Sequence, residues 1–311
     1  MLSTPVAFII FRRPETTNRV FQRIRAAKPA QLFVIADGPR PGVEGEEELT
    51  IQTRQIIEGV DWPCEVHKIY ADQNLGLRQR ILSGLDEVFS QVEEAIILED
   101  DCLPNSSFFT FCSDVLSFHS KSASVALVSG FNFAPYLDSK ADYFFSKLTF
   151  IWGWATWART WKEFRAAPQK ESWSPQELKA IEHTFSNLSQ KKEFLSLANK
   201  ARDLNTWDVS LAVWIRQSDY VTVIPRLNLI SNIGFGNEAT HTKFEAFDMQ
   251  VTQGIFEKSI KHPKIIALDQ MRERKMWQAK FRKWLVFPIL HPFDFLARFV
   301  TYFGFKLRGS K

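Results

Sequence analysis

The sequence predicts an α/β fold: a mainly parallel sheet flanked by helices. Three observations lead there. Short apolar runs at Val6 to Phe11, Gln31 to Ala36, Cys64 to Tyr70 and Ala95 to Leu98 alternate with stretches of helical pattern. Strands and helices alternating at that spacing specify a sheet covered on both faces. The fourth run ends abruptly in Glu99, Asp100 and Asp101, which puts acidic chemistry at the carboxyl end of a buried strand, where open α/β sheets bind ligands. Right-handed crossovers bring the strand exits, Arg12, Asp37, Asp72 and Glu99, to one edge.

Taken in order, Val6 to Phe11 is the first buried strand, Arg12-Arg13 its exit, and Pro14 the opening of a helix to about Ala27. The second strand, Gln31 to Ala36, is closed by the turn signature Asp37-Gly38-Pro39. Glu46 to Glu48 start a second helix, favourably placed at the positive end of its dipole. After the third strand, the polar turn Asp72 to Arg78 feeds a helix to about Phe89 and then the acidic fourth strand. A helix to about His119 and a strand from Val125 to Gly130 complete this half.

Beyond it the character changes. Trp152, Trp154, Trp157 and Trp161 crowd one segment, too irregular for a simple amphipathic helix and too aromatic for a surface loop. Ser174-Pro-Gln-Glu177 is a capping box with proline at the first helical position. A polar helix spans about Gln190 to Arg202, an apolar-faced helix opens at Asp208, and Tyr220 to Pro225 is a strand. Asn232 to His241 is a glycine-containing loop able to close over a ligand. The expected units are 1–130, a nucleotide-binding half; 131–250, an acceptor half of the same domain; and 251–311, a basic amphipathic tail.

Three adjacent carboxylates near a low-dielectric core repel one another, and a hard divalent ion, Mg²⁺ or Mn²⁺, is the usual remedy. With an extended backbone Glu99 and Asp101 share one face and Asp100 takes the other. The same letters also describe a solvated acidic loop.

At 311 residues and 45% hydrophobic, the chain has room for one large domain or two closely packed ones, and it shows no internal repeat. The net charge of +4 is uneven: Met271 to Lys311 holds ten Lys or Arg against two acids, so the rest sums to −4. That argues against a nucleic-acid surface and for a local anionic partner at the tail. Leu296, Phe299, Val300, Phe303 and Leu307 share one helical face, the pattern of an in-plane anchor on an anionic bilayer; the alternative is a helix packed on the protein's own core. Cys64, Cys102 and Cys112 lack metal-ligand spacing, as expected of reduced thiols in a cytosolic protein. No secretory leader and no membrane span is expected, since Val6 to Phe11 lacks a basic flank and Pro288 breaks the best apolar run.

The order of these motifs resembles the GT-A nucleotide-sugar glycosyltransferases, most of all the N-acetylglucosaminyltransferase I type and its bacterial, family 2-like relatives. The resemblance rests on the first strand ending in Arg12-Arg13-Pro14, on Ile35-Ala-Asp-Gly-Pro39, on the helix from Leu77 running into Ile97-Leu-Glu-Asp-Asp101, on Trp152-Gly-Trp154 and on Trp207-Asp208. It covers most of residues 5 to 240 and leaves the tail outside.

The resemblance implies a GT-A, Rossmann-like sheet with an acceptor-side subdomain. It implies Asp101 as direct ligand of Mn²⁺ or Mg²⁺, with Asp100 and Glu99 contacting ribose or metal-bound water. It implies Asp37 as the acid that reads a uracil ring by accepting its imide N–H. Arg13, or Arg12 in its place, approaches the diphosphate, and Arg78 meets the phosphates from the third-strand side. Asp208 is the general base that deprotonates an acceptor hydroxyl, its plain alternative being a helix-start carboxylate. Trp152, Trp154 and Trp157 wall the acceptor or donor sugar, and His241 is a candidate further metal ligand.

The function implied is an inverting, metal-dependent transfer of a sugar from a nucleotide donor, UDP-linked by this reading, to a glycan or lipid-linked acceptor. Its site of action is the cytoplasmic face of a membrane. Two rivals remain. A sugar nucleotidyltransferase shares the sheet but displays a glycine-rich loop where this chain has Arg12-Arg13-Pro14. A catalytically silent glycan- or nucleotide-binding module shares everything but turnover.

Overall fold

The computed structural model describes residues 1–136, 140–234, 254–256 and 259–290. The first half follows the alternating pattern: β1 (Val6–Ile10), α1 (Pro14–Ala27), β2 (Gln31–Ala36), α2 (Glu46–Gln55), β3 (Glu65–Tyr70), α3 (Leu77–Gln91) and β4 (Glu94–Glu99). Every residue of β1 is buried, as a central parallel strand requires. Pro14 is the first residue of α1, where its missing N–H leaves nothing unpaired. Then come β5 (Cys102–Pro104), α4 (Ser106–Phe118) and β6 (Val125–Ser129). Asn105 starts α4 by accepting the backbone N–H groups of Ser107 and Phe108.

The second half holds β7 (Tyr143–Ser146), β8 (Trp154–Trp157), α5 (Ala158–Ala166), α6 (Pro175–Ala180), α7 (Leu188–Asn199), α8 (Ala201–Leu204), α9 (Asp208–Gln217), β9 (Val221–Pro225), β10 (Ile230–Asn232) and α10 (Gln270–Leu290). The capping box at Ser174 and Glu177 forms as its spacing predicts.

One sheet runs through both halves in the order β3-β2-β1-β4-β8-β6-β9-β7. Pairings β3-β2, β2-β1, β1-β4 and β6-β9 are parallel, while β8 and β7 run the other way. The result is a mixed but mostly parallel α/β sheet of the Rossmann-like kind. The exits of β1 to β4, β6 and β9 therefore share one edge, and at that same edge β8 begins. One hydrophobic layer packs α1 and α4 against the sheet through Phe21, Phe108, Phe111 and Trp157, and the opposite layer packs α3, α5 and α9 through Leu85, Phe89, Trp161 and Trp207. Each such buried apolar side chain contributes roughly 1.5–3 kcal/mol relative to exposure.

Three features depart from the sequence reading. The tryptophan-rich segment is not irregular throughout: Trp154 to Trp157 form a central strand with Ile97 opposite Trp154 and Glu94 opposite Trp157. The backbone does not stay extended through the acids, because β4 ends at Glu99 and Asp100 and Asp101 lie in a turn. The chain from Met271 is also not wholly a separate unit. Met276 and Glu273 of α10 are each 2% exposed, and Glu273 accepts from Ser146 Oγ and the Lys147 N–H. Lys280 pairs with Glu193 at 2.6 Å, and Arg272 lies over the Tyr136 ring. The membrane-facing residues expected at 296–307 lie outside the described residues. Among the described residues no helix is long and apolar enough to cross a membrane.

Candidate active site

A cavity of about 650 Å³ opens at the edge where the parallel strands exit. Its floor is the turn after β4, where Glu99, Asp100 and Asp101 sit beside Arg12 and Arg13 from the exit of β1. Parallel pairing of Ile9 with Glu99 fixes that neighbourhood. One Arg13 nitrogen donates to Asp101 Oδ2 at 2.9 Å and to Asp100 Oδ1 at 3.3 Å, so a single guanidinium spans both carboxylates. The Phe11 N–H adds a further bond to Asp100 Oδ2 at 3.3 Å.

The acids outnumber this countercharge. Burial, then Asp101, push the Asp100 carboxyl up to about 7, with Arg13 opposing. Glu99 is raised well above the carboxylate range by burial first, then by Asp101, Asp100 and Asp208. Asp208 thus belongs to the same electrostatic group although it arrives from α9. It is the first residue of that helix, lines the cavity, and accepts the Thr206 hydroxyl and the Val209 N–H at Oδ1.

The remaining sequence-predicted residues divide. Trp152 lines the cavity because it precedes β8 at the strand-exit edge. Trp154 and Trp157 do not: they point into the core, 1% and 3% exposed. Gly153, at φ +58°, makes the local turn that separates Trp152 from its neighbours. Arg12 lines the cavity and pairs at 2.9 Å with the buried Glu46, which also binds Arg40. Arg78 is not part of the cavity lining. Its guanidinium donates to Thr206 O at 2.7 Å and Ser210 Oγ at 3.3 Å and pairs with Glu171, tying α3 to the turn that starts α9. His241 lies outside the described residues.

Asp37 is at the cavity wall, 6% exposed, but its carboxylate is committed. Oδ1 accepts from the N–H groups of Gly38 and Leu75 at 2.9 and 2.8 Å; Oδ2 accepts from Asn74 Nδ2 and the Gly76 N–H, both at 3.0 Å. Four donors fill the four lone-pair sites of a carboxylate. No site is left for the N–H of a base, so the uracil-reading role that the resemblance implies does not fit this geometry. Asp37 latches the β3–α3 loop onto the end of β2.

Sequence reasoning missed Arg80, Leu197 and Leu204, all in the cavity wall, whereas Gly234, also in the wall, belongs to the loop expected to close over a ligand. Arg80 carried a signal: it is a charge on the same helical face as the buried Ile81, Gly84, Leu85 and Val88. Gly234 lies against Asp101 because β10 pairs with β5 and the Ile233 N–H donates to Asp101 O at 2.8 Å.

Among the described residues no three carboxylate, imidazole or thiolate groups converge on a point able to hold a metal by themselves. The donor set nevertheless suits a hard cation. It is all oxygen, its carboxylates outnumber the one guanidinium paired with them, and Arg13 stands where a cation's charge would act. One or two carboxylates are what Mg²⁺ or Mn²⁺ needs when phosphates and waters complete the shell.

No protein-family model matches the chain, and no curated protein matches it. Solved structures do match it, among them two of low identity. One is a mannosyltransferase from Pyrobaculum calidifontis in complex with GDP-Man and Mn²⁺, with 9% identity over 69% of this chain and 70% of that one and a TM-score of 0.37. The other is a Bacillus anthracis protein assigned as a glucose-1-phosphate thymidylyltransferase, in complex with sucrose, with 6% identity over 53% of this chain and 76% of that one and a TM-score of 0.33. At these scores neither bears on what this chain binds.

Proposed function

We propose that the protein is an inverting glycosyltransferase that moves a sugar from a nucleoside diphosphate to a hydroxyl of a glycan or lipid-linked acceptor. One observation carries the reading: the carboxylates after β4 and Asp208 of α9 face one cavity at the strand-exit edge, with Arg13 paired to Asp100 and Asp101 in the same wall. An acid cluster that binds a cation and a separate carboxylate that takes a proton are the two groups this transfer needs.

Asp101 and Asp100 would hold Mn²⁺ or Mg²⁺ together with the donor's phosphates, and the bound cation would neutralise charge developing on the departing diphosphate. Arg13 then exchanges a carboxylate oxygen for a phosphate oxygen, a charge-assisted contact of the same geometry. Asp208 accepts the proton of the attacking hydroxyl. The Thr206 hydroxyl and the Val209 N–H hold its Oδ1, which keeps Oδ2 available for that work. A single base acting on the face opposite the leaving group gives inversion at the anomeric carbon. Trp152 with Leu197 and Leu204 supplies an apolar wall for the acceptor's sugar faces. Residues 291–311, with their basic and apolar letters, are assigned to contact with an anionic membrane surface.

Incubation with a panel of nucleotide sugars and Mn²⁺ tests the reading. Release of nucleoside diphosphate that depends on the metal and on Asp208 supports it. Formation of pyrophosphate would mark a nucleotidyltransferase, and binding with no product a silent module.

A further inference from the structure

Arg80 is the described cation the site leaves unexplained. It is 8% exposed and lines the cavity, yet among the described residues its side chain makes no hydrogen bond or ion pair, and its Nε is buried without an acceptor. An N–H closed off from water is unfavourable until an acceptor satisfies it, and the rest of the guanidinium fork opens on the cavity. Its position is defined by the fold. Gly84, one turn further along α3, packs against Ile35 of β2, so Arg80 stands over the exit of β2, where Asp37 lies. Burial lowers its pKa, Asp37 and Glu87 partly offset this, and Arg54 adds repulsion.

What Arg80 lacks is therefore acceptors more than countercharge. Asp37 supplies negative charge nearby but has no lone pair left, and that same charge disfavours a phosphate at this end. A neutral carbonyl oxygen meets both conditions. The β2 exit is also two strand spacings, roughly 10 Å, from the acids after β4. That gap is one a ribose bridges between a diphosphate and its base. Asn74 completes the edge: its Nδ2 donates to Asp37 and Gly38, and its Oδ1 accepts from nothing among the described residues. The cavity wall here thus offers a fork of donors beside one acceptor.

We infer that Arg80 is the specificity-determining residue for the nucleobase, donating to a ring carbonyl while Asn74 Oδ1 accepts the adjacent ring N–H. This rests on the nucleotide-sugar reading above and deepens it to keto bases. Guanine and uracil present a carbonyl next to an N–H. Adenine, and cytosine along its N4–N3 edge, present an amino group next to a bare nitrogen, which at this pair of contacts sets donor against donor and acceptor against acceptor.

The test is titration of the intact protein, with Mn²⁺, by GDP, UDP, ADP, CDP and pyrophosphate. GDP or UDP binds at least about tenfold more tightly than ADP and CDP, and comparison of the two tells which keto base is preferred. In Arg80→Met that ratio collapses to within about twofold, pyrophosphate binding is retained, and the ligand-free melting temperature is unchanged or higher because an unpaired buried charge is gone. ADP or CDP binding as well as both keto nucleotides overturns the inference, as does a variant that still discriminates. A lower melting temperature for Arg80→Met overturns it too, since it marks a structural cation. If neither pyrophosphate nor any nucleotide binds the wild type, the nucleotide-sugar reading fails along with it.

Discussion

Gly234 lies so close to the Asp101 carboxylate that a methyl group on it would overlap Asp101 Oδ2, Cβ and Cγ. The closeness follows from the β10–β5 pairing, which carries residues 230–234 along the turn that holds the acids. In Gly234→Ala either the loop or the carboxylate shifts. Because Gly234 is only partly buried, the fold tolerates the loop movement, and the expected outcome is weaker Mn²⁺-dependent nucleotide binding with little change in melting temperature. Calorimetry with and without the metal separates the two effects; unchanged metal-dependent affinity would detach Asp101 from the site.

Asp208 tests the chemical step. Replacement by Asn preserves the bonds from Thr206 and Val209 to the retained oxygen, so the start of α9 stays in place. The proton acceptor is lost. Transfer should fall by roughly 10²–10⁴-fold in kcat with the donor KM nearly constant. A variant that transfers at the wild-type rate moves the base elsewhere.

The sheet and the acid-bearing edge were legible because they are written in local pattern: apolar runs of strand length, helices between them, and carboxylates directly after the fourth run. What the letters left open depends on contacts between distant residues. Asp37 reads as an available carboxylate until Asn74, Leu75 and Gly76 fold back onto it. Trp154 and Trp157 read as a sugar-binding wall until β8 inserts between β4 and β6. Arg78 and Arg80 are two residues apart, which is roughly 200° around a helix, so choosing between them requires the phase of α3 against the sheet.

That phase gives Arg78 a positioning role. It joins α3 to Glu171 and to Thr206 and Ser210, which lie two residues before and two residues after Asp208. Arg78→Ala should lower kcat by displacing the start of α9 while donor affinity, read by nucleotide titration, stays close to wild type. It should also reduce melting temperature, since Thr206 O and Ser210 lose a buried charged donor, a loss of about 1–3 kcal/mol. Loss of nucleotide affinity with kcat intact would instead return Arg78 to the phosphates.

The acid cluster makes stability and metal affinity move in opposite directions with pH. Asp100 has a folded-state pKa of about 7, raised above the ordinary carboxylate value by burial and by Asp101. A raised pKa means that the folded protein holds the proton more tightly than the unfolded chain. The stabilisation is complete below the usual carboxylate range and is lost as pH rises through about 7. The ligand-free protein should therefore melt at lower temperature at pH 8 than at pH 6, and Asp100→Asn should flatten that slope. Cation binding needs the ionised form, so Mn²⁺ affinity should rise across the same interval, and adding Mn²⁺ should recover most of the melting temperature lost at pH 8. Melting curves at the two pH values, with and without Mn²⁺, for wild type and Asp100→Asn decide it. A wild-type curve independent of both pH and metal would mean that Arg13 alone balances the acids and that no cation acts there.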